Sequence, residues 1–177
     1  MKSPLVLACS IACALAALPA AQAAHRKSPH AAAPALTAAA VNDAATAASV
    51  GPGASGAATL RAAILLDRAH YSPGEIDARY GSNLRRAVLG YQAAHGLTAS
   101  GVVDAATWKA LDADIAPAVM DYTLTDADVA GPYAALPSDI MERAKLPALG
   151  YVSELEALGE RFHASPQLLQ KHLCYAA

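Results

Sequence analysis

The fold class is decided by residues 82–96, which read SNLRRAVLGYQAAHG. One face of this stretch carries its apolar side chains at helical spacing. They are Leu84, Ala87, Val88, Tyr91 and His95, at positions i, i+3, i+4, i+7 and i+11. Gly96 then provides a left-handed C-cap, so the pattern predicts a helix from about Ser82 to His95.

Helical signals also occur on both sides of this stretch. Apolar residues repeat at helical spacing from Ala57, which predicts a helix before it. Asp104 is the predicted N-cap of a helix after it, with Val103 and Trp108 placed as a hydrophobic staple. The fold class predicted is therefore mainly α, with a three-helix bundle over residues 57–113, roughly 55 residues and close to the smallest size that folds without cross-links. Its expected core is Leu84, Val88, Tyr91, Trp108 and Leu111.

A further helix start is predicted between the first two helices of this bundle. Ser72 has the character of an N-cap, Pro73 would stand at the first helical position, and Glu75 would complete a capping box. Tyr71 and Ile76 are spaced as a hydrophobic staple around it.

The N-terminus has the pattern of a secretory signal peptide over residues 1–23. Lys2 is a minimal basic region, Leu5 to Leu18 is an apolar region, and Ala21-Gln22-Ala23 is a cleavage site. The apolar region is shorter than the about 20 residues that a spanning helix needs. We therefore expect export to the periplasm or the cell wall after cleavage near Ala23, which would leave Cys174 as the one cysteine of the mature chain.

Residues 24–56 are predicted to be a disordered Ala/Pro-rich linker. Every aromatic residue of the chain lies between Tyr71 and Tyr175, and the linker shows no apolar stripe that could be buried. The free energy gained by burial would therefore not offset the conformational entropy lost when the linker is ordered.

Residues 114–177 are predicted to form an incomplete α+β segment. Alternating residues within Ala116–Pro137 are typical of a strand, and short helices are expected after Ser138, Ser153 and Ser165. A single strand has no partner for its backbone hydrogen bonds, so the segment looks unfinished.

Composition and spacing argue against several classes of function. The 13 basic and 15 acidic residues give a net charge of −2 without a basic stripe, which argues against nucleic-acid binding. The histidines lack the spacing of metal ligands, and Cys174 lacks the glycine turn of an activated nucleophile. We therefore expect no metal, no cofactor and no catalytic residue.

The bundle resembles the peptidoglycan-binding domain 1 family. The resemblance is carried by Ile76-Asp77-Ala78-Arg79-Tyr80-Gly81-Ser82-Asn83-Leu84, Ala87, Tyr91-Gln92, Gly96-Leu97, Gly101, Asp104, Thr107-Trp108 and Leu111. Ala78 stands where the family has a turn glycine, and Tyr91 where it usually has Phe. The resemblance implies a three-helix domain that binds cell-wall glycan or stem peptide.

With that resemblance, the turn before residues 82–96 becomes the candidate binding surface. It offers hydrogen-bonding edges beside an aromatic face, and an arginine suited to a stem-peptide carboxylate. The candidate ligand-binding residues are Asp77, Arg79, Tyr80, Asn83 and Arg86. For any one of these residues taken singly, a solvated turn held by Gly81 is the favoured explanation. Gln92 and Asp104 are interpreted as structural.

Residues 114–177 resemble the linker that precedes the catalytic domain in exported L,D-transpeptidases of the ErfK/YbiS/YkuD type, and their helix pair is similar to a LysM module. The motifs are Asp128-Val129-Ala130-Gly131-Pro132, Leu149-Gly150-Tyr151 and the stretch from Glu156 to His163. The leading hypothesis is an exported, non-catalytic protein that binds peptidoglycan. Two alternatives stay open: the front part of an L,D-transpeptidase that cross-links peptidoglycan, and a module that binds another envelope protein.

Overall fold

The computed structural model describes residues 36–45 and 48–172. The predicted signal peptide, the linker residues 24–35 and Cys174 lie outside the described residues. The described part is mainly helical, as predicted. Its α-helices are α1 (Ala38–Asn42), α2 (Ala57–Arg68), α3 (Ser82–Ala94), α4 (Ala105–Leu111), α5 (Ile140–Arg143), α6 (Glu154–Phe162) and α7 (Pro166–His172), with a 3₁₀ turn at Asp126–Asp128. None of the described helices combines the length and the apolar character that crossing a bilayer requires.

Helices α2, α3 and α4 form the three-helix bundle. Helix α3 begins at Ser82 and ends at Ala94, where Gly96 has a φ of 67° and the Leu97 N–H donates to the Gln92 carbonyl at 2.8 Å. This is the Schellman ending that the glycine predicted. Helix α4 begins after Asp104, whose carboxylate accepts the Thr107 N–H at 2.8 Å, which confirms the predicted N-cap.

The five side chains expected in the core of the bundle are all nearly inaccessible to solvent. Their exposed fractions are 3% for Leu84, 0% for Val88, 4% for Tyr91, 2% for Trp108 and 3% for Leu111. The bundle therefore encloses one core, to which α2 adds leucines on its inner face.

The helix expected to start at Ser72 does not form, so this prediction is wrong. Ser72 accepts the Gly74 N–H at 3.3 Å, and Gly74 has a φ of 76°, which opens the chain into a loop. Further along, the Ile76 N–H donates to the His163 carbonyl and the Ile76 carbonyl accepts the Ser165 N–H, both at 2.9 Å. A helix here would have required these backbone groups for itself.

The range assigned to a disordered linker is partly ordered where the structure describes it. Residues 38–42 form α1, and Val41 and Val50 are 2% and 1% exposed within the bundle core. Val50 exchanges two backbone hydrogen bonds with Val103, at 3.1 and 2.9 Å. Val41, Val50 and the pairing with Val103 thus join this segment to the bundle, although it has no apolar stripe.

The strand expected within 116–137 is also absent, because these residues find no strand partner among those described. The segment is irregular apart from its 3₁₀ turn. Helix α5 is capped by Asp139 rather than Ser138, while Ser153 caps α6 as predicted by accepting the Glu156 N–H at 3.2 Å. The LysM-like character of this region stays a prediction.

Helices α6 and α7 pack as a pair and attach to the bundle at one place. Ile76 and Ala164 form a parallel backbone bridge, and His163 Nδ1 lies 2.8 Å from a carboxylate oxygen of Asp67. Leu168 of α7 contacts the bundle core. Within α6, Leu158 is 3% exposed, whereas Phe162 is 39% exposed.

Candidate functional site

The turn before α3 is held by backbone pairing on one side. The Tyr80 N–H donates to the Ala54 carbonyl and the Gly56 N–H to the Ala78 carbonyl, both at 2.9 Å. Asp77 closes the turn by accepting the Arg79 N–H at 2.9 Å. Ala78 is 5% exposed with a φ of 61°, so it occupies the left-handed conformation for which the family motif has glycine.

Tyr80 lies at the edge of this turn with its hydroxyl already engaged. The hydroxyl donates to the Gly101 carbonyl, which ties the turn to the loop before α4. Burial raises the pKa of the Tyr80 hydroxyl, and the charge of Arg85 opposes part of that rise. The hydroxyl of Tyr80 therefore holds the fold, and its partly buried ring packs against the bundle core.

The remaining candidates present a polar, basic surface. Arg79, Asn83 and Arg86 are exposed, and Arg86 Nη1 lies 3.4 Å from Asn83 Oδ1. The Asn83 amide lies so close to Gly74 that a Cβ there would stand 2.8 Å from its nitrogen. Among the described residues, the Arg79 guanidinium has no ion-pair partner.

The start of α3 adds donors to this surface. Gly81 precedes the helix without a side-chain cap, and the first turn carries no acidic residue. The first backbone N–H groups of a helix lack intrahelical acceptors and favour a negative charge. Arg79 and Arg86 beside them suit a carboxylate better than a cation.

Gln92 holds the loop before α4, to which the Tyr80 hydroxyl is also bonded, in agreement with its interpretation as structural. It is 0% exposed, and its amide nitrogen donates to the Val102 carbonyl at 2.8 Å and to Thr107 Oγ1 at 2.9 Å. Its amide oxygen accepts the Gly101 N–H at 2.9 Å. Thr107 Oγ1 continues the network to Asp104 at 2.8 Å. The hydrogen bonds from the Thr107 N–H and then from its hydroxyl lower the pKa of Asp104.

Arg61 is a buried charge that sequence reasoning missed. It is 7% exposed, its Nη2 lies 2.7 Å from the Asp112 carboxylate, and its guanidinium stands 5.2 Å from the Trp108 ring centre. Its Nη1 is buried without a hydrogen-bond partner among the described residues. The sequence does contain a signal for this burial. Arg61 lies four residues before the buried Leu65, and this spacing places both side chains on the core face of α2.

Asp128 organises the region after the bundle. Its side chain is 5% exposed and accepts hydrogen bonds from Thr125, from the Tyr122 hydroxyl and from Arg161 of α6. The two hydrogen bonds from Thr125, followed by those from Tyr122 and Arg161, hold the pKa of Asp128 well below its usual value. This geometry is that of a structural contact. In the part of the chain that the structure describes, no three His, Cys, Asp or Glu side chains gather as a metal site would require.

Comparison with known families addresses the bundle. Residues 55–111 match the family model described as "Putative peptidoglycan binding domain". This match supports a peptidoglycan-binding domain over that segment. It covers α2, α3 and α4, with the turn that carries Asp77, Arg79 and Tyr80 between the first two. No curated protein matches the chain. The resemblance of residues 114–177 to an L,D-transpeptidase linker stays a prediction.

Proposed function

We propose that this protein is exported and binds cell-wall peptidoglycan without catalysing its cleavage or cross-linking. The observation that carries the proposal is the family match over the complete three-helix bundle, since the matched family is a binding domain. The pattern of residues 1–23 supports export to the periplasm or cell wall.

The contact surface in this proposal is the basic turn at the start of α3, formed by Arg79, Asn83 and Arg86. Its guanidinium groups and open backbone N–H groups favour a ligand with a carboxylate, which stem peptides of peptidoglycan carry. The ring of Tyr80 supplies an apolar edge beside them. Stem peptide is therefore preferred over bare glycan at this surface.

The test is to pellet the purified protein with insoluble sacculi from which bound proteins have been stripped. The wild type should pellet, and the double variant Arg79→Glu, Arg86→Glu should bind on the order of tenfold more weakly. Lys171→Glu is the matched charge-reversal control, because Lys171 is exposed on α7, and it should pellet like the wild type. A wild type that stays in the supernatant refutes the proposal.

Export has its own measurement. Expression in a bacterial host followed by mass spectrometry of the periplasmic fraction should find a mature N-terminus near Ala24. Retention of the intact N-terminus in the cytoplasm would contradict it.

A second candidate function, binding to another envelope protein, is favoured by one observation. Large apolar side chains after the bundle are strongly exposed, with fractions of 94% for Ile115, 81% for Met120, 76% for Ile140 and 67% for Met141. Exposed apolar groups mark an interaction surface where they are contiguous, and Ile140 and Met141 are adjacent in the chain. Pelleting with untreated envelopes but not with stripped sacculi would favour this candidate over peptidoglycan.

A further inference from the structure

A small pocket lies where the three bundle helices end. The last turns of α2, α3 and α4 surround it, and it has a volume of about 280 Å³. The basic turn lies at the opposite end of α3, and 13 residues of helix separate the two by roughly 20 Å. This helix-end pocket is therefore distinct from the surface proposed for stem peptide.

One wall of the helix-end pocket is a fixed histidine. His95 Nδ1 lies 2.8 Å from the Tyr91 carbonyl oxygen. A carbonyl can only accept, so Nδ1 donates this hydrogen bond, and in the tautomer that carries its hydrogen on Nδ1 the other nitrogen, Nε2, is an acceptor. The wall thus presents a hydrogen-bond acceptor to a ligand.

The same histidine is held by aromatic stacking. Its ring lies over that of Tyr91, with centres 4.0 Å apart and planes inclined by 25°, and Tyr71 packs edge-on against Tyr91 at 5.4 Å. Tyr91 is 4% exposed, so the stack rests on the core of the bundle. The stacked rings form a flat face that is ordered before a ligand binds, so binding there would cost little conformational entropy.

The electrostatic potential of the pocket favours a ligand that donates hydrogen bonds over an anionic ligand. Three helix C-termini meet here, and each bears partial negative charge on its last carbonyls. Arg68 at the rim is paired with Asp114 at 2.6 Å, so its charge is largely satisfied. Leu65 and Leu111 provide an apolar lining between these polar groups. A neutral ligand with N–H or O–H donors and a small apolar group fits these conditions.

We propose that the helix-end pocket binds one N-acetylhexosamine residue of a glycan strand. The acetamido methyl would contact Leu65 and Leu111, and a sugar hydroxyl or the amide N–H would donate to His95 Nε2. This inference rests on the proposed binding of peptidoglycan and assigns the glycan to a site separate from the stem peptide. A volume near the lower end of ligand pockets suits a single sugar residue.

The test titrates the ¹⁵N-labelled protein with tri-N-acetylchitotriose and follows its amide signals. The signals of Tyr91, His95 and Ala110 should shift together with ligand. Ala110→Phe should fill the pocket and weaken binding at least about tenfold, whereas Ala106→Phe, on the exposed side of α4, should stay within about twofold of the wild type. Unchanged affinity in Ala110→Phe overturns the proposal.

A second variant guards against misfolding of the first. His95→Phe keeps a ring on Tyr91 but removes the Nε2 acceptor, and it should weaken binding about three- to tenfold with an unchanged circular-dichroism spectrum. Full affinity in this variant would remove the role assigned to His95 and refute the site.

The outcome for the pocket separates from the outcome for the proposed function. If the protein pellets with sacculi but chitotriose shifts no signal at the helix-end pocket, the pocket proposal fails and peptidoglycan binding stands. If chitotriose binds at His95 but the protein does not pellet with sacculi, the pocket proposal stands and the proposed function fails.

Discussion

Replacement of Gln92 is the sharpest test of how the bundle is held together. Gln92→Leu removes the acceptor for the Gly101 N–H and the donors to the Val102 carbonyl and Thr107 Oγ1. Leucine fills a similar volume, so the change isolates the hydrogen bonds. Thr107 keeps its bond to Asp104, and the main loss falls on Gly101 and Val102.

The magnitude follows from the burial of those two groups. An orphaned buried donor or acceptor costs about 1–3 kcal/mol, and the Gly101 N–H is fully orphaned while Ser100 Oγ still lies 3.3 Å from the Val102 carbonyl. The expected loss in the free energy of unfolding is about 2–4 kcal/mol. With a urea dependence near 1 kcal/mol/M for so small a unit, the midpoint should fall by about 2 M or more.

The assay is urea unfolding followed by the fluorescence of Trp108, the single tryptophan of the chain. Its ring is 2% exposed in the folded protein, so unfolding will shift its emission strongly. Gln170→Leu, at an exposed position on α7, is the control and should unfold like the wild type. A Gln92→Leu midpoint within about 0.5 M of the wild type would refute the reasoning.

Gln92→Glu adds a pH signature to the same position. A carboxylate here would be buried and would face the Val102 carbonyl, so the folded-state pKa of the new group should rise above its unfolded value of about 4.3. The folded state then binds the proton more tightly, and stability falls as pH rises, by up to about 1.4 kcal/mol per pH unit. Equal stability of this variant at pH 5 and pH 7 would contradict the hydrogen-bond assignment.

Three further perturbations test other parts of the structure. Asp104→Ala should lower the free energy of unfolding by about 1–2 kcal/mol at pH 7, measured by urea unfolding. The folded-state pKa of Asp104 is lowered, so its contribution to stability is present above its unfolded pKa of about 3.9. The difference in unfolding free energy between variant and wild type should therefore shrink as pH falls below that value. Arg61→Ala should cost about 2–3 kcal/mol, somewhat less than for a fully buried ion pair because the Asp112 side chain keeps 27% exposure, and an unchanged urea midpoint would show that the pair contributes nothing. Asp128→Asn should loosen the contact with α6 and speed limited proteolysis within residues 115–152, with the fluorescence of the bundle unaltered; an identical cleavage rate would contradict its role.

Local signals explain what the sequence could predict of the fold. The start of α4 depends on the contact between Asp104 and Thr107, three residues apart, and the end of α3 depends on Gly96. Such capping needs no knowledge of the rest of the chain. These elements were therefore predicted close to their observed bounds.

Non-local contacts explain the errors. The signals at Ser72 are those of a helix start, but the backbone of Ile76 pairs with His163 and Ser165, far along the chain. Residues 119–125 alternate like a strand, yet alternation alone supplies no partner. Neither fact can be read from a window of neighbouring residues.

The candidate site was predicted in its residue types more than in its contacts. Asp77, Arg79 and Asn83 were chosen for their polar edges, and they do lie on one turn. Tyr80 is a candidate because of its aromatic face, and the sequence does not show that its hydroxyl is bonded to the Gly101 carbonyl. The aromatic stack at His95 was missed because His95 was assigned only to the end of the apolar face of a helix.

The segment upstream of the matched domain is tied to the core at several points, two of which involve residues 48–50. The Trp108 indole N–H donates to the Ala48 carbonyl at 2.9 Å, and Val50 pairs with Val103. A protease that cuts the chain between residues 50 and 55 would therefore free the Ala48 carbonyl from the Trp108 indole and expose Val103 to solvent. Cleavage there would weaken the domain itself, so the bundle is not a unit that can be shed intact from whatever precedes it.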